Sequence, residues 1–447
     1  MTVPRRYEMA ALCAIGTLLC YADRTNIGVA IPAFQADHGI QGHVLSAFFY
    51  GYICTQYFGA WLSSKVGPKA VLLGGVALWT CFDVLTVPCA TSPILLWLVR
   101  AGMGLGEGIV FPCMHNVASS WFPIPERSRL NAQIASGMDL GTVFSMFVAP
   151  LLMASWGYPA IFFFFGGLSA LWLVVFSWRG ASRPEDDARI SDDERELIVA
   201  TRNTAAAKEF GTPHTMVVEL PWRAFFSSKA LWAIYASHFA YNYGWYVLLG
   251  WIPQYLRLQL HLELASSGVA AAIPYLAGYA GILYWGWLSD RLIAHGVRLV
   301  TVRKITNGFG LLGSAVCLYV LRFASSTVSA VALLLLTLFL SRAAASGYWV
   351  NMLDVAPRHA GHVMGISNTI ATLPGIFGNI LTGEILQRSG NWDLVFLIAA
   401  AVLTIGGIIF HCWAGDHDVF AMDDDVSDEA AVPVNVHTTL LPEKAYY

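Results

Sequence analysis

The chain is short of charge. Only 12% of its 447 residues are Asp, Glu, Lys or Arg, about half the share of an ordinary soluble domain, and no basic patch is present to hold nucleic acid. Its 8 cysteines include no C-x-x-C pair and lie mostly in apolar stretches, so they read as buried free thiols rather than a disulfide frame or a zinc site. No nucleophile elbow, phosphate-cradling glycine loop or cluster of metal ligands occurs, which argues against an enzyme and against a bound cofactor. The first apolar stretch, "MTVPRRYEMAALCAIGTLLCYADR", lacks a small-x-small cleavage site and carries two charges, so it reads as a helix rather than a signal peptide. No Arg- and Ser-rich transit segment precedes it, which leans away from plastid import.

Hydrophobic residues make up 56% of the chain. They fall into twelve runs, at about 7-34, 43-64, 70-89, 92-120, 128-154, 158-178, 229-256, 265-289, 303-323, 327-352, 358-386 and 392-414, each near the ~20 residues needed to cross a bilayer. The chain therefore reads as an all-α, multi-pass membrane protein in contact with lipid. Arg5, Arg6, Lys65, Lys69, Arg127, Arg129, the basic residues of 179-229, Arg291, Arg298, Arg303, Lys304 and Arg358 fall on one side of this pattern, against Arg257, Arg322 and Arg388 on the other. The positive-inside rule then puts both termini in the cytosol. The net charge of -3 reflects two acidic polar segments, "RPEDDARISDDERE" and "DHDVFAMDDDVSDE".

The halves repeat one another. "GAWLSSKVGPK" after the second run is echoed by "GWLSDRLIAHGVR" after the eighth, and "SWGYPAIFFFFG" entering the sixth by "SGNWDLVFLIA" entering the twelfth. This predicts an N-terminal six-helix bundle (1-178), a cytosolic linker (179-228), a C-terminal six-helix bundle (229-414) and an acidic, disordered tail (415-447). Leu440 and Leu441 in the tail resemble a dileucine sorting signal. Duplicated bundles around a midplane site are how secondary transporters alternate access.

Seven ionisable residues sit deep in the runs: Asp23, Arg24, Asp83, Arg100, Glu107, Asp139 and Arg342. Each costs on the order of 2.5–3.5 kcal/mol near a helix centre, so each is expected to pair or to line a cavity. Arg100 and Glu107, two turns apart, share a face with Gly104 and Gly108, where a helix or a ligand can approach closely. Arg24 suits an anion, which its planar fork can grip. Asp23, on one face with Asn26, is either a proton carrier or the partner that neutralises Arg24. Asp139 and Arg342 read equally as coupling or ligand groups and as satisfied structural charges, and Asp83 reads as structurally paired. The cluster Tyr241, Asn242, Tyr243, Trp245 and Tyr246 beside Gly244 reads as a bent gating or ligand-contacting helix, or as an interfacial belt.

At these residues the chain resembles the major facilitator superfamily. "GWLSDRLIAHGVR" resembles the family's loop signature, with Asp290 and Arg291 in the charged positions of a conformational latch, while Ser63 stands where the first-half copy usually has an acid. "RAGMGLGEG" resembles the R-x-x-x-G-x-x-x-G signature of helix four, and "SGMDLGTVFSMFVAP" the glycine-rich signature of helix five. "YADRTNIGVAIP", "GLGEGIVFPCMHNVASSWFPIPERSRL", "VTVRKI" and "VNMLDVAPRHAGHVMGISNTIATLPGIFGNILTG" resemble the anion:cation symporters, most of all the plant and algal phosphate-type branch. The resemblance implies twelve helices in two pseudo-symmetric bundles. It also implies anion binding by Arg24 and Arg100 and cation coupling through Glu107 and Asp23; from the residues themselves, Tyr241, Asn242 and Tyr246 are expected to help bind the anion and Asp139 to be a further coupling group. The chain departs from the family in placing acidic Asp139 and basic Arg342 where neither charge is usual. Helix seven also lacks the Arg that vesicular glutamate carriers have.

The expected function is secondary active transport of a small anion, phosphate first, coupled to protons or sodium by alternating access, by a protein that works as a monomer. The alternatives are a carrier of sugar acids, ascorbate, dicarboxylates or sialate, and a sensor that binds without transporting. The sequence leaves open which membrane holds it: plasma, endolysosomal or plastid envelope.

Overall fold

The computed structural model describes residues 4-34, 37-200, 222-356 and 359-420. Twelve long helices follow one another: α1 (Arg5–Ala30), α2 (His38–Val66), α3 (Pro68–Cys89), α4 (Pro93–Trp121), α5 (Ile124–Trp156), α6 (Tyr158–Arg179), α7 (Lys229–Leu258), α8 (Leu264–Ala294), α9 (Leu299–Leu321), α10 (Thr327–Val355), α11 (Ala360–Ser389) and α12 (Trp392–Trp413). They match the twelve apolar runs. Eight of them are apolar and long enough to span a bilayer by composition alone. The four that are not, α1, α2, α7 and α8, all pack across the junction of the two bundles, where polar residues meet a neighbouring helix instead of lipid.

The helix ends are written locally. Asp37 accepts a hydrogen bond from the Ile40 amide at 2.8 Å and starts α2, Ser326 closes a capping box on α10, and Asn391 caps α12. Each supplies an acceptor to an amide that has no partner inside the helix. Four glycines have positive φ: Gly67 (98°), Gly157 (80°), Gly296 (83°) and Gly390 (61°). They form two corresponding pairs, Gly67 with Gly296 at the α2–α3 and α8–α9 turns, and Gly157 with Gly390 at the α5–α6 and α11–α12 turns. A positive φ is open to glycine without strain, so the halves repeat the placement of a glycine at these turns, although ψ differs between Gly157 (175°) and Gly390 (12°).

The bundles touch most closely at the end remote from the linker. A Cβ on Gly42 of α2 would lie 2.5 Å from the Asn379 carbonyl of α11, and one on Gly383 would lie 2.4 Å from the His38 carbonyl. Gln254 of α7 donates to Gln41 of α2 at 2.7 Å. At the linker end, a cleft of about 700 Å³ separates α1 and α5 (Tyr7, Arg129, Gln133, Ser136) from α8 (Tyr279, Ile282, Leu283) and reaches inward to Asp139. The chain is thus sealed at one end and open at the other.

The first part of the linker lies against the N-terminal bundle. Trp121 donates to the Ala181 carbonyl at 3.1 Å. Asp187 takes hydrogen bonds from both Arg5 and Arg189, and Glu194 accepts from the amides of Arg5 and Arg6. Burial works against the Asp187 carboxylate, yet the Arg5 and Arg189 hydrogen bonds hold it below its ordinary range, and the Arg6 hydrogen bond does the same for Glu126. Residues 201-221 lie outside the described residues. So does the tail beyond 420, including Leu440 and Leu441, but Val419 donates to the Val355 carbonyl at 2.8 Å and Phe420 packs on Phe225.

Candidate functional site

Arg24 and Glu107 meet between α1 and α4. The Nε and Nη2 atoms of Arg24 each lie 2.9 Å from Glu107 Oε2, and the Cys20 thiol donates to the same oxygen at 3.2 Å. The rings of Tyr21, Phe48 and Tyr52 surround the guanidinium at 4.5, 4.7 and 4.9 Å, so their faces stabilise its charge out of contact with bulk water. Arg100 and Glu107 lie in one helical piece, Pro93–Glu107, but the Glu107 carboxylate turns to Arg24 of α1.

Arg100 is 1% exposed and its only hydrogen bond among the described residues runs from Nη1 to the Met103 sulfur at 2.8 Å. Its Nε is buried without a partner. Arg24 and Arg100 both line a void of about 30 Å³, walled by Phe48 and Phe49 of α2, Tyr246 and Gly250 of α7, and Asn379 of α11. That is room for a water molecule and not for a polyatomic anion. The glycines beside them serve packing: a Cβ on Gly104 would lie 1.9 Å from the Phe48 carbonyl and one on Gly108 2.3 Å from Thr55, so the small-residue face of α4 receives α2 and not a ligand.

Asp23 does not neutralise Arg24. Its side chain turns toward α3 and α6, where Oδ2 accepts from Trp79 at 3.0 Å and from Ser169 at 2.7 Å. Asn26, one turn on, donates to Asp83 of α3 at 3.4 Å. Asp83 therefore has an amide partner and faces the interior. Asp139 and Arg342 form an ion pair from α5 to α10, which joins the two bundles. Arg342 also donates to the Tyr241 hydroxyl at 2.9 Å and stacks 4.2 Å from the centre of the Trp245 ring. The α7 cluster thus divides. Tyr241 belongs to the Arg342 pair, Tyr246 packs on Phe49 at 4.4 Å beside the void, and the Asn242 amide is occupied by the Ala371 carbonyl at 2.8 Å. Around these residues α7 is a continuous helix.

Asp290 and Arg291 sit exposed at the linker end, where Arg291 stacks on Trp287 at 5.2 Å. The corresponding position in the first half, Ser63, accepts from Asn116 of α4 at 2.8 Å. Among the described residues, no group of three or more His, Cys, Asp or Glu is placed to hold a metal ion.

Sequence reading overlooked Tyr21, Tyr52 and Asn379 at the site, and Arg303, which pairs with Asp354 at 2.8 Å between α9 and α10. The signal for Asn379 was present. It follows Asn368 and Thr372 along α11, and those two residues exchange hydrogen bonds with Gln56 across the bundle junction at 2.7 and 3.2 Å.

The chain is similar to known membrane transporters. The chain is 36% identical over 417 residues to the chloroplastic ascorbate transporter of Arabidopsis thaliana, with 92% of this chain and 75% of that one covered. It is 36% identical to the chloroplastic sodium-dependent phosphate transport protein 1 of the same plant, with 92% and 79% covered, and 32% identical to human sialin, with 94% and 91% covered. Among solved structures, a bacterial homolog of the human lysosomal transporter Spinster, inward-facing and occupied, superposes with a TM-score of 0.72 at 16% identity over 92% of this chain and 97% of its own. A D-xylose–proton symporter does so at 0.70 and 14%, over 92% and 98%. These two share the fold. The family model of the Major Facilitator Superfamily matches residues 13–379, and the chain belongs to that superfamily, in its anion:cation symporter group.

Proposed function

We infer that this protein is a secondary active transporter that carries a small anion, inorganic phosphate first, together with a proton or a sodium ion. The observation that carries the reading is the pair Arg24 and Arg100, buried side by side on one void where the bundles meet, with one guanidinium lacking any carboxylate hydrogen bond. Such a group is costly to bury unless a ligand completes it. The names of the relatives, an ascorbate transporter and a phosphate transport protein among them, support the anion class.

A sealed far end and an open linker end support alternating access by rocking of the halves. With the linker cytosolic, as the Lys and Arg pattern indicates, this conformation faces inward. An arriving anion competes with Glu107 for Arg24. The freed Glu107 carboxylate then takes up a proton, or its charge is balanced by a cation, and this exchange is the basis of coupling.

A second reading, transport of an organic anion, is favoured by the three aromatic rings around Arg24. An inorganic oxyanion has no apolar surface to pack on them, whereas ascorbate or a sugar acid has. Uptake into proteoliposomes, competed by phosphate, ascorbate, glutamate, sialate and hexuronate under imposed proton or sodium gradients, decides between the two. Inhibition by phosphate alone supports the first reading, inhibition by one organic acid supports the second, and no inhibition by any anion sinks both.

A further inference from the structure

A second polar cluster lies between α1, α3 and α6, and the anion site does not use it. Asp23, Asn26 and Asp83 are wholly buried and Thr80 nearly so. On α1, Asp23 and Asn26 are three residues apart, and on α3 so are Thr80 and Asp83, which puts each pair on one helix face. The bonds Trp79 to Asp23 (3.0 Å) and Asn26 to Asp83 (3.4 Å) hold the two faces in register. Four side-chain oxygens on these two faces, Asp23 Oδ1, Asn26 Oδ1, Thr80 Oγ1 and Asp83 Oδ2, are buried without a hydrogen-bond partner among the described residues. Buried polar atoms are paired as a rule, and a group of unpaired acceptors signals a missing positive centre. Turning over the Asn26 amide does not help, since it only exchanges one orphan for another.

The charges tell the same story. The ionisable groups facing this cluster are Asp23 and Arg24 from α1, Asp83 from α3, and Arg100 and Glu107 from α4, while α6 contributes the neutral Ser169. Arg24 and Glu107 cancel one another at 2.9 Å. Asp23 and Asp83 are left against Arg100 alone, which is within electrostatic range of both but spends its hydrogen bond on a sulfur. The cluster is one positive charge short, in a setting where an uncompensated charge is strongly unfavourable.

We propose that Asp23 and Asp83, completed by Asn26 and Thr80, form a binding site for one monovalent cation, either sodium or a proton shared between the two carboxylates. Oxygen-only ligation suits a hard ion. A divalent ion would reverse the charge imbalance instead of cancelling it, and its usual demand for six or more oxygens is not met by four. Resting on the transport reading above, the site also explains coupling. An anion seated on Arg100 neutralises the field that this arginine lends to Asp23 and Asp83, so the cation binds more tightly, and by reciprocity the cation tightens the anion.

The test uses the full chain purified in detergent. Binding of radioactive sodium is measured without any anion, and proton uptake is followed in sodium-free solution with an indicator dye as phosphate or ascorbate is added. We expect about one sodium per chain in the first arm, or, in the second, about one proton per chain that is still taken up by the Glu107→Gln variant, and the arm that responds identifies the ion. Asp83→Asn removes the excess charge at nearly constant volume. It is expected to weaken sodium binding at least tenfold, or to take up about one proton fewer, and its anion affinity is expected to lose the corresponding dependence on that cation. Asp23→Asn removes the same charge from the other helix and serves if Asp83→Asn fails to fold. Wild-type behaviour in whichever variant folds, or no response in either arm for the wild type, overturns the proposal. Sodium binding that no anion of the panel enhances leaves the cation site standing and removes the anion reading.

Discussion

Replacing Gly42 by alanine should shift the protein between its two facing states. A Cβ at this position would lie 2.5 Å from the Asn379 carbonyl and 3.0 Å from the Gly383 Cα, both backbone atoms of α11 that no side-chain rotation can move aside. A Cβ on Gly383 would likewise meet the His38 carbonyl, so the two helices are in backbone contact here and relief requires α2 and α11 to separate at the far end. Overpacking of this kind costs about 1–3 kcal/mol. It falls only on the state in which that end is sealed, so the ratio of far-end-open to far-end-sealed molecules should rise roughly 5- to 150-fold. The assay is maleimide labelling of a Ser136→Cys probe in the linker-end cleft, read above the labelling of native cysteines. Labelling should slow in the Gly42→Ala background in proportion to the lost population. Unchanged labelling in a protein that still folds and binds its anion would refute the reasoning, because α2 and α11 would then not be the seal that opens.

Arg100→Ala should lower anion affinity by roughly 10- to 100-fold, the worth of a hydrogen bond to a charged group, and binding measured by anion-induced thermal stabilisation checks it. Glu107→Gln leaves counterflow intact and abolishes accumulation driven by a proton gradient, and full accumulation would exclude Glu107 as a coupling group. Asp139→Asn strands Arg342 on Tyr241 and Trp245 and should destabilise the protein by about 3 kcal/mol. Adding Arg342→Gln should restore most of that loss, as read from thermal unfolding of both variants. At the linker end, Asp187 is held below its ordinary value of 3.8. Its contribution to docking of residues 180-200 is therefore complete above that pH and lost only as the pH falls through the lowered value. Limited proteolysis of this segment should be constant from neutrality down to about pH 4 and rise below it.

The helix count and the halves were legible because each span writes its own signal. Apolar length and the echoed turn segments need no tertiary information, and the paired glycines Gly67 with Gly296 and Gly157 with Gly390 share a positive φ at corresponding turns. Partnerships between charges were not legible. Spacing along α4 suggested that Arg100 and Glu107 share a face, but a helical face does not say which neighbouring helix it meets. The actual partner, Arg24, comes from α1. Asp139 and Arg342 appeared as two unrelated charges because they sit 203 residues apart on different bundles. Asp23 and Asp83 were hardest to read, since only the register of α1 against α3, fixed by Trp79 and Asn26, brings them together.

The placement of these charges bears on how a rocking protein can keep its site intact. Of the seven ionisable residues deep in the apolar runs, all except Arg342 belong to the N-terminal bundle, and Arg342 is tied to that bundle through Asp139. The C-terminal bundle contributes to the void through neutral groups, Tyr246, Gly250 and Asn379, whose contacts can be remade without separating opposite charges in a low-dielectric interior. Hydrogen bonds such as Gln254 to Gln41 and Asn368 to Gln56 are each worth on the order of 1 kcal/mol and are easily exchanged for water as an end opens. Pulling apart a buried ion pair costs several times more. The bundles can therefore move against each other over neutral contacts, with the anion and cation chemistry held inside one rigid half. The Asp139–Arg342 pair is the exception. It lies near the middle of both helices, where rocking displaces atoms least, so it suits a pivot better than a gate.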